Sequence, residues 1–485
     1  MASSTGDGSE KVVVDSIHGA IHLKDREVQV IDTASFQRLR QLKQLAMAQL
    51  VYPTATHTRF AHSIGALGTM ARIIQAAKGN EIPLEPDMEE NLRLAALLHD
   101  IGHYPYSHMM EDVGRVKLTE EQVDGTAAPV KSLDAGRGKY PDHEEVGKWI
   151  VTGQADLIET IGGPERAKAV ADLFTRSKAG EPQLSKLIHS SLDLDRLDYL
   201  PRDSQGTGVP YGQIDIDYLL NNLKVSPEGV VGFSVKALPA VEHLLLARFF
   251  MLRAVYYHKT TYAFEETCRQ LLRRLRDDHR KCKKYGVPLD GEAIKKLVTG
   301  PELFIFTDAF VDKIIQEAVN DENEVIKVLA RAVQKRRPPA LLKEVPVCEE
   351  KEREHHAGNT FKLRCKAELN DLSSKFGIPL GQFLLCETNP INVGERPEML
   401  TAGKVTKMKQ EEVLNKAFEE EEKDIKIFNG DRAEPKSLME IEYSLVAKFA
   451  RYSFQIFRLY VVYEGADRDE VVGKLRDRVK EWDKG

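Results

Sequence analysis

From residue 35 to residue 335 the apolar side chains recur at spacings of three and four, and that repeat restricts the chain to a mainly helical fold. "SFQRLRQLKQLAMAQL" sets Phe36, Leu39, Leu42, Leu45 and Ala46 at this spacing. "RFAHSIGALGTMARIIQAAKG" repeats the pattern and stops at Gly79. "MEENLRLAALLHD" does so through Asn91, Leu94, Ala95 and Leu98, with Gly102 just beyond its end as a cap. Further helical windows cover 143–153, 164–178, 184–200, 215–223, 238–260 and 262–284. The opening "KVVVDSIHGAIHL" instead alternates and is β-branched, which predicts a short strand or hairpin.

Two prolines interrupt the helical pattern in "RRPPALLKE" (336–344), which reads as a linker. Beyond it, "TFKLRCKAEL", "QFLLCETN", "KDIKIFNG" and "SFQIFRLYVVYEG" mix strand-like runs with helices. The expected organisation is a polar, disordered tail over 1–10, a helical domain over 11–335, and a smaller α+β lobe over 336–485 for assembly and regulation. A chain of 485 residues can bury a core large enough for such a division.

Composition narrows the function. The N-terminal "MASSTGDGSE" has no apolar segment of the kind a signal peptide needs. "HLLLARFFMLRAVYYH", the most apolar run, is interrupted by Arg248 and Arg253 and does not read as a membrane span. Cys268, Cys282, Cys348, Cys365 and Cys386 are scattered without a CxxC pair, which points to a reducing compartment and away from a zinc ribbon. A soluble, cytoplasmic protein is expected. With 69 basic against 75 acidic residues the net charge is −6, so a nucleic acid is not the expected main partner. The basic run "CRQLLRRLRDDHRKCKK" (268–284) and the acidic run "EEEEKD" (419–424) read as solvated helix faces, the former alternatively as a phosphate or subunit contact. No P-loop GxxxxGK[S/T] and no GxSxG elbow is present.

One constellation carries chemistry. A histidine, an HD dipeptide and a distant aspartate each sit on or at the end of a helix: His62 in "HTRFAHS", His99 and Asp100 in "LLHDIGH", and Asp195 in "SSLDLDRLDYLPRD". Two imidazoles and two carboxylates suit a divalent transition metal (Fe, Mn, Zn, Co or Ni) and are too rich in nitrogen for a calcium cage. Adjacent helical residues diverge, so His99 and Asp100 can share an ion only where the helix is ending. Its terminal carbonyls would favour a cation there. A bare HD dipeptide is a weak signal, and a lone histidine closing an apolar helix is more often structural. Here His103, His108 and His143 surround the same elements, and Arg59 stands three residues before His62. So many ionisable groups are costly to bury unless paired or bound to metal. Phosphoryl transfer needs such a set: charge neutralisation, a metal-activated water and a proton for the leaving oxygen.

These residues resemble the HD-domain phosphohydrolases, and more closely the deoxynucleoside triphosphate triphosphohydrolases, in particular the branch that joins a sterile-alpha-motif domain to an HD domain. The stretches that carry the resemblance are "VVVDSIHGAIHL", "IDTASFQRLRQLKQL", "YPTATHTRFAHSIG", "LLHDIGHYPYSH", "DHEEVG", "LDLDRLDYLPRD" and "YYHKT", between Lys11 and Lys259. A sterile-alpha-motif domain is not expected in the ten residues before Lys11. The resemblance implies a mainly α, HD-domain helical core with a smaller α+β C-terminal lobe. It implies that His62, His99, Asp100 and Asp195 bind the metal. His103 and His143 would contact the α-phosphate or its water, and His108 would protonate the leaving 5′-oxygen. The acid that orients it is aspartate in the family and Glu111 here. Arg59 and Arg248 would neutralise phosphates, as would Arg196, where the family has lysine. Gln44, Leu45, Tyr199 and Asp203 would bind the substrate, the polar three at the sugar 3′-hydroxyl. Tyr256 would crowd out a ribose 2′-hydroxyl, so dNTPs are the implied substrates, each with its own Mg2+.

The resemblance also implies an activator site for GTP or dGTP. Lys11, Asp32, Gln37 and Arg40 match it, although Val14 stands where the regulated branch has asparagine. Asp32 with Thr33 could equally be a helix N-cap, and Arg40 a solvated charge. Such sites form between subunits, which implies a homotetramer, with a dimer as the alternative. Two other readings stay open: another HD reaction, such as a nucleotidase or single-strand nuclease, and a nucleotide sensor without catalysis.

Overall fold

The alternating N-terminal segment forms the expected hairpin: β1 (Lys11–Asp15) and β2 (Gly19–Leu23) pair antiparallel, and Gly19 closes the turn at φ 70°. The computed structural model describes residues 11–79, 84–114, 140–175, 194–226, 230–350, 356–393, 424–430 and 434–484. The tail over 1–10, the stretch 184–193 and the acidic run up to 423 lie outside the described residues.

Helices dominate the chain after the hairpin. α1 (Asp25–Ile31), α2 (Ala34–Gln37), α3 (Arg59–Gly79), α4 (Pro86–Leu98), α5 (His108–Glu111), α6 (His143–Gly153), α7 (Ala155–Ile161) and α8 (Pro164–Phe174) come first. Next are α9 (Leu194–Thr207), α10 (Ile216–Asn221), α11 (Leu238–Met251), α12 (Lys259–Asp277), α13 (His279–Tyr285), α14 (Gly291–Thr299), α15 (Asp308–Ala318) and α16 (Glu324–Gln334). Among them α3 is the axis: it packs against α4, α9 and the hairpin. Its glycines let those neighbours close in. A Cβ at Gly65 would stand 1.8 Å from Asp198 Oδ1, and one at Gly68 2.9 Å from Ile21 of β2. α4 is buried all round from Leu92 to Leu98, because α3 and α8 cover opposite sides of it. Its buried charge, Arg93, forks onto Glu27 at 2.5 and 2.8 Å.

Three expectations need correction. Phe36, Leu39, Leu42, Leu45 and Ala46 are buried, but they do not share a helix. α2 gives way to a 3-10 turn over Arg38–Gln41, Leu42 is extended, and Lys43 bridges to Thr58. The break follows from Arg38, which is buried and donates to the carbonyls of Phe306, Ile101 and His103, tying the segment across the core. Gly102 is not a left-handed cap. A Cβ there would stand 2.0 Å from the His143 carbonyl and 2.2 Å from Gly147 N, so the glycine lets the end of α4 meet α6 backbone to backbone. The supposed linker runs into a strand, β5 (Ala340–Glu350). β5 is an edge strand, which is why Pro346 is tolerated within it.

The C-terminal part is α+β, as expected. α17 (His356–Phe376), which contains the "TFKLRCKAEL" stretch, precedes β6 (Phe383–Glu387), β7 (Lys426–Phe428) and β8 (Lys436–Ser437). α18 (Leu445–Phe449), β9 (Tyr452–Val461) and α19 (Arg468–Lys480) complete it. β5, β9 and β6 form an antiparallel sheet in that order, with α17 and α19 packed on it around Phe361, Cys365 and Leu475. β7 pairs parallel with β4 (Val231–Ser234), which pairs with β3 (Leu223–Val225), so a late strand completes a sheet begun in the helical part. Tyr460, Cys386 and Ile427 join the main core.

The basic run on α12 and α13 is not simply a solvated face. Arg269, Arg273 and Arg276 are buried. Arg269 pairs with Glu266, Arg273 donates to the Asp112 carbonyl, and Arg276 donates to that of Leu289. No helix among the described residues is long and apolar enough to cross a membrane.

Candidate active site

α4 ends at Leu98, His99 caps it, and Asp100 enters the turn beyond. This ending lets two adjacent side chains aim at one point. His62 reaches the same point from α3 and Asp195 from the first turn of α9. His62 Nε2 lies 3.3 Å from His99 Nε2, 2.9 Å from Asp195 Oδ1 and 3.4 Å from Asp100 Oδ2. His99 Nε2 lies 3.5 Å from Asp100 Oδ1 and 3.8 Å from Asp195 Oδ1. The structure brings all four expected ligands together.

The outer nitrogens decide what this cage can hold. His62 Nδ1 donates to Asp198 Oδ2 at 2.7 Å, and His99 Nδ1 donates to the Ala96 carbonyl at 2.8 Å. Both acceptors lack a proton to give, so each neutral ring carries its lone pair on Nε2. With both rings neutral, two lone pairs and two carboxylates thus converge on one point. Burial opposes charge on His62, yet the hydrogen bonds to Asp195 and Asp198 outweigh it and raise the imidazole to about 10. Such a cage draws in positive charge. Its two nitrogens and its carboxylates fit a divalent transition metal.

A second group lies beside it. Asp100 also ion-pairs with Arg59 and lies 3.0 Å from His103 Nε2. Arg59 is buried there and donates to Ser107 Oγ at 3.0 Å. His103 stacks on His143 with ring centres 4.0 Å apart, and His108 stands edge-on to both. Glu111 is fully buried beneath them, its Oε2 2.9 Å from His108 Nδ1 and 3.4 Å from His143 Nδ1. Burial opposes ionisation of Glu111, but the two histidines hold it well below the usual carboxylate range. The His108 ring is open to solvent while its Nδ1 is anchored, so Nε2 is the end offered to a ligand.

The turn that presents His108 is strained. Tyr106 and Ser107 both have positive φ, 53° and 54°. Asp308 ties this turn to the segment before α3: its Oδ1 accepts from Tyr106 N at 2.7 Å and its Oδ2 from Lys43 N at 3.0 Å.

A further group of polar and aromatic side chains lies along α9. Asp203 accepts from Tyr256 Oη at 2.5 Å and lies 2.7 Å from His57 Nε2. Tyr199 stands edge-on to Tyr256. Tyr256 sits in a π-helical turn, Leu252–Tyr256, at the end of α11. Gln44 is tied by its backbone to His57, while its buried Oε1 has no hydrogen-bond partner among the described residues. Leu45 is buried, Arg196 follows Asp195 half-buried on α9, and Arg248 is half-buried near the end of α11.

Residues 59–203 match the HD domain, and residues 214–294 match the HD associated region. This part of the chain is an HD domain. The chain is 32% identical over 275 residues to the uncharacterized protein YwfO of Bacillus subtilis, covering 56% of this chain and 57% of that one. It is 33% identical over 226 residues to the human deoxynucleoside triphosphate triphosphohydrolase SAMHD1, covering 43% and 34%. The Dictyostelium discoideum homolog of that enzyme is 30% identical over 264 residues, covering 53% and 48%. The chain spans about half the length of the first curated relatives it matches. A phosphohydrolase from Bacteroides thetaiotaomicron shares the fold with a TM-score of 0.65 and 22% identity, over 93% of this chain and 99% of that one. A hypothetical protein from Aquifex aeolicus does so at 0.66 and 22%, over 97% and 100%.

The expected activator residues lie away from the cage of this HD domain. Lys11 is exposed at the start of β1, and Asp32 is exposed at the end of α1. Thr33, rather than Asp32, caps α2, accepting from Phe36 N at 3.2 Å. Gln37 Oε1 accepts from Arg40 Nε at 2.7 Å, and the Arg40 guanidinium lies 3.5 Å from the Phe60 ring centre. Sequence reasoning missed Asp198, His57, Asp308 and His18. Asp198 alone left a signal, since it lies one helical turn after Asp195 and faces the same way.

Proposed function

We propose that this HD-domain protein is a metal-dependent dNTP triphosphohydrolase, converting a deoxynucleoside triphosphate and water into a deoxynucleoside and inorganic triphosphate. One observation carries the reading: a metal-ligand cage and an anchored, solvent-facing His108 stand side by side, linked by Asp100 and His103. The relatives named deoxynucleoside triphosphate triphosphohydrolases support the choice of substrate.

His62, His99, Asp100 and Asp195 would hold the metal, which supplies Lewis acidity and activation of water. His103 and His143 orient the α-phosphate oxygens, and Arg59, Arg196 and Arg248 neutralise the chain of phosphates, helped by the Mg2+ that arrives with the substrate. Water adds to the α-phosphorus, the bond to the 5′-oxygen breaks, and His108 gives that oxygen its proton. Glu111 steadies the resulting charge balance by anchoring His108 Nδ1. Gln44, Tyr199 and Asp203 receive the sugar 3′-hydroxyl, and Leu45 lines the pocket. Tyr256, fixed on Asp203, takes the space a ribose 2′-hydroxyl would need. Lys11, Asp32, Gln37 and Arg40 form a GTP or dGTP activator site in a homotetramer, with residues 336–485 contributing to assembly.

The test incubates metal-loaded protein with each dNTP, alone and with GTP or dGTP, and separates products by ion exchange. Deoxynucleoside plus triphosphate supports the reading, and a GTP-dependent rate supports the activator site. Orthophosphate or pyrophosphate places the attack elsewhere, and no product under any condition contradicts catalysis.

A further inference from the structure

Asp198 is fully buried, and each of its oxygens accepts twice. Oδ2 takes His62 Nδ1 at 2.7 Å and Arg202 Nε at 2.8 Å. Oδ1 takes His18 Nε2 at 2.7 Å and Arg202 Nη2 at 2.7 Å. Arg202 reaches on to Asp15, with Nη1 2.9 Å from Oδ2. Asp15 in turn folds the hairpin turn by accepting from Ile17 N and His18 N. Two residues of the β1–β2 turn therefore touch the carboxylate that anchors a metal ligand, His18 directly and Asp15 through Arg202. Asp15, His18 and Asp198 also lie close enough together to hold an ion of their own. The Arg202 guanidinium already bridges those two carboxylates, so their cation is supplied by the chain.

We infer that the N-terminal hairpin clamps the metal centre: His18, by donating to Asp198, keeps that carboxylate on His62 Nδ1 and so sets how tightly His62 grips the metal. The inference rests on the metal centre of the proposed function and is independent of the substrate. A carboxylate behind a ligating histidine fixes the ring and raises its basicity. Without the His18 donor, Asp198 is left to Arg202 and His62 alone, and the Arg202 fork draws it off the line to His62. Gly65 leaves room for this arrangement, since any side chain there would strike Asp198 and Arg202. His18 is a positioning residue.

The experiment strips the full chain of metal and titrates it with Mn2+ alone, comparing wild type, His18→Ala, His18→Gln and Ser16→Ala. Ser16 lies in the same turn and makes an exposed bond to Gln205, so it controls for general damage to the hairpin. His18→Ala is expected to weaken Mn2+ binding about 10- to 100-fold. His18→Gln should recover part of it, because its amide still donates, and Ser16→Ala should match wild type. Thermal unfolding of the metal-free proteins checks that each variant is folded at the temperature of the titration. Wild-type affinity in His18→Ala overturns the inference, as does an equal loss in Ser16→Ala. If His18→Ala does not fold, His18→Leu, which keeps bulk in the turn but cannot donate, carries the comparison, and wild-type Mn2+ binding in folded His18→Leu overturns the clamp. A wild-type chain that takes up no Mn2+ overturns the metal centre itself, a result distinct from failure of the clamp alone.

Discussion

His62 Nε2 and His99 Nε2 face each other at 3.3 Å, and each ring is anchored through its Nδ1, so in the neutral rings both lone pairs point into the same space. Two lone pairs at that distance repel unless positive charge enters, as a proton on His62 or as a metal ion between the rings. The rest of the site is built on this relationship, because Asp100 and Asp195 complete the cage and Asp100 also reaches the histidines beside it.

Metal binding and proton transfer are separable. The double change His99→Ala with Asp100→Ala should lose bound metal and all turnover. His108→Ala should keep its metal and lose turnover by about 10²- to 10⁴-fold, the range of a general acid. Metal content and rate measured on the same preparations check both, and a wild-type rate in His108→Ala removes its role.

Glu111 acts through His108. Glu111→Gln keeps the size of the side chain but removes the charge that anchors His108 Nδ1. Turnover should fall about tenfold or more with metal content unchanged. Steady-state kinetics should place the loss in kcat rather than KM.

Asp308 holds two backbone N–H groups, that of Tyr106 in the strained turn and that of Lys43 in the segment before α3. Asp308→Ala strands both in the interior. A loss of about 2–4 kcal/mol in urea unfolding is expected, and a change below about 1 kcal/mol would mean that the turn holds itself.

Glu265 gives the fold a pH dependence. Burial pushes its carboxyl up to about 7, against the pull of Arg269, from an ordinary value of 4.5. Between those values the unfolded chain releases a proton that the folded chain keeps. This residue therefore lowers stability as pH rises from about 4.5 to about 7, by at most about 3 kcal/mol, and the effect then levels. Glu265→Gln should remove that share of the slope when unfolding free energies of the two proteins are compared across this range.

Gly102→Ala tests the contact between the end of α4 and α6. The added Cβ would strike the His143 carbonyl, so overpacking should cost about 1–3 kcal/mol. His143 should shift with its helix, and turnover should fall while metal is retained.

The cage is legible in the sequence because its ligands sit at helix ends, where spacing and residue type coincide. His108 and Glu111 are legible for a similar reason, being one helical turn apart. The features that local pattern does not reveal depend on tertiary contact. Arg38 breaks a helix that periodicity supports, because it caps three distant carbonyls. β5 is hidden because Pro338 and Pro339 stand just before it and a further proline, Pro346, lies within it, which only an edge strand tolerates. His18 and Asp198 meet across 180 residues, and no local pattern brings them together.

The most direct test of the central claim runs the reaction in water labelled with heavy oxygen and weighs the products. The expected result is a single heavy oxygen in the inorganic triphosphate and none in the deoxynucleoside, because water attacks the α-phosphorus and the 5′-oxygen leaves with the sugar. Label in orthophosphate, in pyrophosphate or in a nucleoside monophosphate would contradict the account.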